Sequence, residues 1–317
     1  MKFAVRLNSF KGTQLSNNKK SKNSTIDCID RISKVDGITH IELNYPEHFV
    51  NCTVSDIKEA LKKHNLKLSG IALRYQNDFT YGEFANPDKK IRELAIQQTI
   101  DAVKICNELD GEVTTIWLAN DGFDYPFQLD YNKALTLEVK ALRMISQQFP
   151  QSKISFEYKP YQPRVFSLIG DIATTLLVLD EVGSPNLGVT LDFCHMLMKK
   201  ENPAYSLALA VRKNRLMGFH LNDGYNDNDD GLMIGTVHLL QTLEFIYYAK
   251  KYNYNGINYF DTFPIREDAI KECEQNIVMY KKLDEFIDSV GLDKIDELIH
   301  QEDAIQVQKL LLQLINK

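Results

Sequence analysis

Short apolar runs alternate with longer amphipathic segments along most of the chain. The first half contains four strand-like runs, at residues 3–7, 39–44, 66–73 and 113–118. In the segments that follow them, apolar positions recur every three or four residues, the spacing of a helix with one buried face. The predicted helices cover residues 24–35, 55–64, 87–109 and 134–146. The polar stretch 11–24 is predicted as a loop.

Four later apolar runs each end in a side chain that can bind a metal. They occupy residues 153–159, 187–192, 216–220 and 257–261, and the side chains are Glu157, Asp192, His220 and Asp261. These residues lie 35, 28 and 41 positions apart, close to the roughly 30 residues of one strand–helix unit in a barrel. Helices are predicted between them, near 170–182, 203–213 and 238–251. Strands that alternate with helices predict parallel pairing and an α/β fold, the (β/α)8 or TIM barrel.

A long helix predicted over residues 267–288 completes the barrel. We therefore divide the chain into a barrel at 1–288 and a C-terminal helical tail at 289–317. Apolar residues recur in the tail at helical spacing, namely Ile295, Leu298, Ile299, Leu310, Leu311, Leu314 and Ile315. The tail either packs on its own barrel or forms a contact between subunits. A homo-oligomer, dimer or tetramer, is expected.

Composition and charge exclude several classes of partner. Of the 317 residues, 44% are hydrophobic and 25% charged, as in ordinary globular domains. The net charge of −6 argues against a nucleic-acid partner, which requires clustered Lys and Arg. The five cysteines are odd in number and lack paired spacing, which predicts free thiols in a reducing compartment. We find neither a signal-peptide pattern nor an apolar run of about 20 residues, so we expect a cytoplasmic protein that binds no membrane.

The four strand ends predict a metal site. In a barrel of this kind, side chains at the carboxyl ends of the strands converge on one site. Three carboxylates with one imidazole suit Mn²⁺, Mg²⁺ or Co²⁺ better than a thiolate-type zinc site. We therefore predict a divalent cation, Mn²⁺, Mg²⁺, Co²⁺ or Zn²⁺, held by Glu157, Asp192, His220 and Asp261.

Further polar side chains are expected beside these ligands. Lys159 shares a strand face with Glu157, because residues two apart on a strand point the same way. His195 comes three residues after Asp192, where the strand turns into its loop. After Asn222 and Asp223, an acidic loop over residues 227–230 is predicted to hang over the site, so that Asp229 or Asp230 reaches a second cation.

These motifs resemble the xylose-isomerase-like barrels, which carry a Glu, an Asp, a His and an Asp or Glu on strands five to eight. Within them the sequence is most similar to bacterial L-rhamnose isomerases, over residues 70–268. The segments that carry the resemblance are Glu157-Tyr-Lys159, Asp192-Phe-Cys-His195, His220-Leu-Asn-Asp223 and Asp261-Thr-Phe-Pro264. Residues 117–128, which begin with Trp117, look like the tryptophan-bearing fourth strand and loop of these enzymes. The sequence departs at Gly231, where the family pattern leads us to expect another aspartate.

The resemblance implies an aldose–ketose isomerase acting at C1 and C2 of an open-chain sugar, deoxy sugars included. It implies one tight cation site and a second, weaker site formed by Glu157, His195 and Asp229. Glu157, Lys159 and Asp261 would be catalytic, with Lys159 bound to the carbonyl oxygen. Trp117, His195 and Asn222 would contact the sugar, and Asp223 would orient His220 or its loop.

Three alternatives stay open. A keto-sugar 3-epimerase uses a similar barrel with one metal and two carboxylates as acid and base, but lacks the Glu-x-Lys pair and usually has Glu where Asp261 stands. An abasic-site endonuclease would need more than the seven histidines here, and a basic face. A non-catalytic sugar-binding barrel would have lost some of the four ligands, and none is lost.

Overall fold

Eight parallel strands close into a barrel in the computed structural model, which describes residues 1–11, 24–76 and 78–315. The strands in chain order are β1 (Phe3–Arg6), β2 (His40–Tyr45), β3 (Lys67–Leu73), β4 (Val113–Ile116), β5 (Gly122–Phe123), β6 (Ile154–Glu157), β7 (Phe166–Ser167), β8 (Leu187–Asp192), β9 (Leu216–Leu221) and β10 (Asn258–Phe260). The barrel order is β1-β10-β9-β8-β6-β4-β3-β2, and β5 pairs with β7 in a separate antiparallel sheet. The predicted (β/α)8 barrel is confirmed.

Helices cover the outside of the barrel. They are α1 (Thr25–Ile32), α2 (Val54–Lys63), α3 (Lys89–Glu108), α4 (Tyr131–Gln148), α5 (Ile172–Val182), α6 (Phe193–Met198), α7 (Pro203–Arg212), α8 (Leu239–Lys251), α9 (Ala269–Val290), α10 (Leu292–His300) and α11 (Ala304–Ile315). Many begin at a side-chain cap: Ser24 and Thr53 form capping boxes with Asp27 and Asp56. The loop predicted over 11–24 lies, apart from its two end residues, outside the described residues.

The register of the strands places the candidate ligands at one end of the barrel. Asp192 on β8 is the partner of His220 on β9, and Tyr259 on β10 is the partner of the same histidine. The backbone N–H of Asp261 donates to the carbonyl of Leu221 at 3.0 Å. Because all eight strands run parallel, residues at their carboxyl ends meet at the same mouth.

The tail forms two helices that lie against the barrel helices. The predicted boundary at residue 288 falls inside the last turn of α9, so the division into two parts stays a prediction. Ile295 and Leu310 pack against the core, and Asp296 accepts from the Tyr247 hydroxyl and pairs with Lys251. The side chains of Leu314 and Ile315 lie outside the described residues.

Two observations bear on the expected reducing compartment and on the expectation that the protein binds no membrane. All five cysteines are free thiols in the structure. Within the described ranges, no helix combines the length and the apolar character that crossing a bilayer would require.

Candidate metal centre

Four side chains from neighbouring strands form the first cluster. Glu157 ends β6, Asp192 ends β8, His220 lies on β9 and Asp261 follows β10, and none is more than 4% exposed. One ligand atom from each lies within 4.8 Å of the other three. His220 Nδ1 is 3.4 Å from Glu157 Oε1 and 4.0 Å from Asp261 Oδ2. The structure thus brings together the four residues that the strand ends predicted.

Unsatisfied atoms show that this donor set fits a cation. Glu157 Oε2, His220 Nδ1 and Asp261 Oδ1 are buried and have no hydrogen-bond partner in the described part of the chain. A buried polar atom without a partner is costly, and a buried unpaired carboxylate more so. A divalent cation with oxygen and imidazole ligands would satisfy these atoms together.

The pKa values of the cluster members are shifted in opposite directions. Burial raises the pKa of Asp192 to about 7, and three neighbouring carboxylates add to the rise while His195 opposes it. Burial also disfavours the ionised form of Glu157, yet the positive charges around it, that of His220 first and then those of His195 and Arg74, together hold its pKa at about 2. The pKa of His220 lies well above its usual range because Glu157 and Glu42 overcome the effect of burial. Protons and a cation would therefore compete for this cluster.

A second cluster consists of Asp192, His195 and Asp229. His195 Nε2 is 3.3 Å from Asp229 Oδ2 and 3.9 Å from Asp192 Oδ1. The resemblance implied Glu157, His195 and Asp229 as this set; in the structure Asp192 also belongs to it, and Glu157 Oε1 lies 3.6 Å from His195 Nδ1. The reason is local: Asp192 caps α6 by accepting from the His195 backbone N–H at 2.9 Å, which folds His195 back over the Asp192 carboxylate.

Lys159 stands beside the second cluster. Its ammonium is 2.8 Å from Asp229 Oδ2 and 6% exposed, and it lies 5.6 Å from the centre of the Trp117 ring. Trp117 is half-buried and also contacts the Arg74 guanidinium at 4.8 Å. The ammonium and the indole therefore line the same part of the mouth.

Asn222 and Asp223 hold other residues in place. The Asn222 amide donates to both Asp192 oxygens, at 3.3 and 3.0 Å, and its oxygen accepts from the Cys194 N–H at 2.8 Å. Asp223 accepts from the backbone N–H groups of residues 237 and 238 and contacts the His238 ring at 2.8 Å. Asp223 thus orients its loop and not His220, while the expected contact of Asn222 with a sugar stays a prediction.

The loop after β9 explains two details of the sequence. Asp230 accepts from the Tyr225 N–H at 2.7 Å and so closes the loop, leaving Asp229 to face the mouth. Gly231 has a φ of +58°, and a Cβ there would lie 2.3 Å from the Phe263 ring. An aspartate at this position would therefore require the ring to move.

Sequence reasoning missed polar residues on, or directly after, the first three strands. Glu42 on β2 places Oε2 3.7 Å from His220 Nε2, opposite the nitrogen that faces the cluster. Arg6 ends β1 and approaches Asp261, and Arg74 directly follows β3. The signal that identified the ligands, a polar residue closing an apolar run, is present at Arg6 and Arg74, whereas Glu42 lies inside β2 between Ile41 and Leu43.

Buried charges also brace the loops behind the site. The Asp121 carboxylate accepts from three consecutive backbone N–H groups, those of residues 83–85, at 2.8–3.0 Å. Arg164 donates to the carbonyls of Leu118 and Asp121 at 2.9 and 2.7 Å. Burial and the Asp121 charge raise the pKa of Glu83 to about 8, although it accepts hydrogen bonds from Asn120. These loops follow β3, β4 and β6, so the network fixes the wall that carries Trp117.

The fold and the cluster together define a (β/α)8 barrel with a candidate metal centre at its carboxyl-end mouth. A sequence profile of the xylose isomerase-like TIM barrel family matches residues 29–282. The chain belongs to this family. The family resemblance of the strand-end motifs is thereby confirmed.

The individual proteins that resemble this chain are distant from it in sequence. The chain is 23% identical over 225 residues to a xylose isomerase of Thermus thermophilus, a match that covers 68% of this chain and 58% of that protein. It thus spans about three-fifths of the curated relative. A D-psicose 3-epimerase structure from Clostridium cellulolyticum is similar with a TM-score of 0.70 at 14% identity, over 89% of this chain and 99% of that one. A D-tagatose 3-epimerase-like protein has a TM-score of 0.65 at 20% identity, over 90% and 100%.

Proposed function

We propose that this protein is a divalent-metal-dependent sugar isomerase that interconverts an aldose and a ketose in open-chain form. The observation that carries the proposal is the pair of clusters that share Asp192. Family membership and the xylose isomerase relative support it. The partner is a small sugar.

Each residue has a role that follows from its position. A bound divalent cation would polarise two adjacent substrate oxygens. Lys159 donates to the carbonyl oxygen as negative charge develops there, an interaction that is strong because the ammonium is largely buried. Trp117 packs against the apolar face of the sugar. Asn222 fixes the Asp192 carboxylate by donating to both of its oxygens.

The test is a metal titration with a panel of aldoses and ketoses. Protein stripped of metal is titrated with Mn²⁺, and product formation is followed by NMR in deuterated water. The proposal expects activity to rise in two phases, with little exchange of the migrating hydrogen. Asp229→Asn should abolish the second phase only. Asp227→Asn, an exposed position in the same loop, is the matched control and should leave both phases intact.

One observation favours a second candidate, a keto-sugar 3-epimerase. The Lys159 ammonium lies 2.8 Å from Asp229 Oδ2, where it would compete with a second cation. Glu157 and Asp261 would then act as the acid–base pair around a single cation. Full activity with one metal equivalent, and free exchange of the transferred hydrogen with solvent, would favour the epimerase over the isomerase.

A further inference from the structure

A small cavity lies inside the barrel, directly behind the first cluster. Its volume is about 40 Å³, and the residues that bound it include Glu42, Thr190, Gly218 and His220. A buried water molecule needs at least about 10–15 Å³ of such space, together with polar groups that it can hydrogen-bond. The cavity is therefore large enough for water, and its walls carry a carboxylate, a hydroxyl and an imidazole.

Small and polar residues inside the barrel explain why space remains there. Barrels of this kind usually fill their interior with bulky branched side chains. Here Thr190 on β8 is the partner of Gly218 on β9, and the Thr190 hydroxyl donates to Ser155 Oγ at 2.7 Å. Among the described residues other than its chain neighbours, the atom nearest to a Cβ built on Gly218 is Thr190 Oγ1, at 3.8 Å. Gly218 thus leaves open space in a layer whose neighbouring side chains are hydroxyls.

The cavity adjoins the face of the barrel at the amino ends of the strands. A larger cavity of about 660 Å³ lies at that face, and the two cavities share Glu112, Val113, Lys153, Met217 and Tyr254. Lys153, just before β6, is exposed, and Met217 and Gly218 are partly exposed although both lie on β9. These residues trace a path for water from the amino-end face to Gly218, two residues before His220.

Glu42 brings an unsatisfied carboxylate oxygen to this cavity. The residue is 4% exposed, and its Oε1 has no hydrogen-bond partner in the described part of the chain. Its Oε2 lies 3.7 Å from His220 Nε2, which is too long for a direct hydrogen bond. Polar groups at such a separation are often bridged by water, and a buried oxygen without a partner is costly. Water in the cavity would satisfy the oxygen and bridge the two side chains.

We propose that ordered water occupies this interior cavity, where it donates to Glu42 and accepts from His220 Nε2. Water that enters from the amino-end face then holds the imidazole whose other nitrogen, Nδ1, faces the first cluster. The group bound to the outer nitrogen of a ligating imidazole typically changes metal affinity by about ten- to a hundred-fold. Glu42 and Gly218 are positioning residues, since one binds the water and the other leaves space for it. This inference rests on the candidate metal centre and not on the reaction proposed for it.

The experiment combines a high-resolution crystal structure with variants that fill the cavity in steps. The wild-type crystal structure should show water within hydrogen-bonding distance of Glu42 Oε1. In calorimetry, Gly218→Val should lower the affinity for Mn²⁺ by about ten-fold or more, and Gly218→Ala by less. The control Lys2→Met, which removes an exposed ion pair at the amino-end face, should leave the affinity unchanged.

A double variant separates loss of the water from distortion of β9. Glu42→Leu removes both oxygens that the water would bind. In that background, Gly218→Val should lower the affinity for Mn²⁺ by less than about three-fold, because the interaction that it disrupts is already gone. Thermal unfolding of each metal-free variant establishes that it is folded.

Three results would overturn the inference. The first is a crystal structure in which the cavity is dry or holds a cation. The second is a Gly218→Val variant that is more thermostable than the wild type and keeps its affinity for Mn²⁺. Filling a dry void and replacing a strand glycine would both have this effect. The third is an equal loss of affinity with Glu42 and with Leu at position 42, because distortion of the strand would then account for it.

Discussion

Replacing Lys159 by Met separates positioning from chemistry at the mouth of the barrel. The ammonium is 6% exposed, and its contact at 2.8 Å is to Asp229 Oδ2. Methionine keeps most of the side-chain volume and removes the charge. Loss of a donor aimed at developing oxyanion charge typically lowers kcat by about a hundred- to a thousand-fold. We expect a loss of that size, with the first-cluster affinity for Mn²⁺ unchanged.

The same substitution has a cost in stability, which must be measured separately. Among the described residues, the ion-pair partner that remains to Asp229 is His195 at 3.3 Å, and removing one partner of a buried pair costs about 3 kcal/mol. The double variant Lys159→Met with Asp229→Asn removes both charges and should recover most of this loss. Lys199→Met, which breaks an exposed pair with Asp171 at 3.3 Å, should cost less than about 1 kcal/mol.

The assay combines thermal unfolding, Mn²⁺ affinity and kcat on the sugar that the panel identifies. The reasoning expects the double variant to regain stability while its kcat stays low. If kcat returns together with stability, or if Lys159→Met keeps kcat within three-fold of the wild type, Lys159 is only a structural ion pair. In that case the assigned role in catalysis is wrong.

Other measurements test separate parts of the site. Glu42→Gln should weaken Mn²⁺ binding by about ten-fold, since Glu42 faces the His220 nitrogen remote from the cluster; unchanged affinity would contradict this role. Glu83 has a pKa near 8 when folded against an ordinary value of 4.5, so its stabilising protonated form is fully present below pH 4.5 and lost as pH rises through 8. The free energy of unfolding should fall as pH rises across this window, and Glu83→Gln should flatten the profile measured by urea unfolding. Asp192→Asn should abolish binding of both cations in calorimetry, whereas His195→Gln should spare the first.

The architecture and the first cluster could be predicted from the sequence because their signals are periodic. Apolar runs at intervals near 30 residues fix the strands, and parallel strands bring their carboxyl ends together. Strand and helix bounds differ from the predictions mostly by one to three residues, where fraying and caps decide the end. The pair β5 and β7 was missed because two-residue strands carry no period. The break between α10 and α11 was missed because Glu302 takes a positive φ without a glycine to mark it.

His195 and Asp229 were predicted for the second cluster, but Asp192 was not, for a different reason. Whether Asp192 belongs to the second cluster depends on where the His195 side chain lies after the end of β8. That position is set by α6, a helix of six residues that Asp192 caps. No apolar period marks so short a helix. Arginine side chains are not metal ligands. Arg6 and Arg74 were therefore not predicted as site residues, although they lie at strand ends as the four ligands do.

The shared carboxylate of Asp192 constrains how such a site can evolve. It caps α6, accepts from Asn222 and belongs to both clusters. Under the proposed roles, a substitution at 195 or 229 turns a two-cation site into a one-cation site in a single step. A substitution at 192 disables both clusters and loosens the start of a helix at once. Under these roles, single mutations therefore lead from two cations to one through the second cluster only.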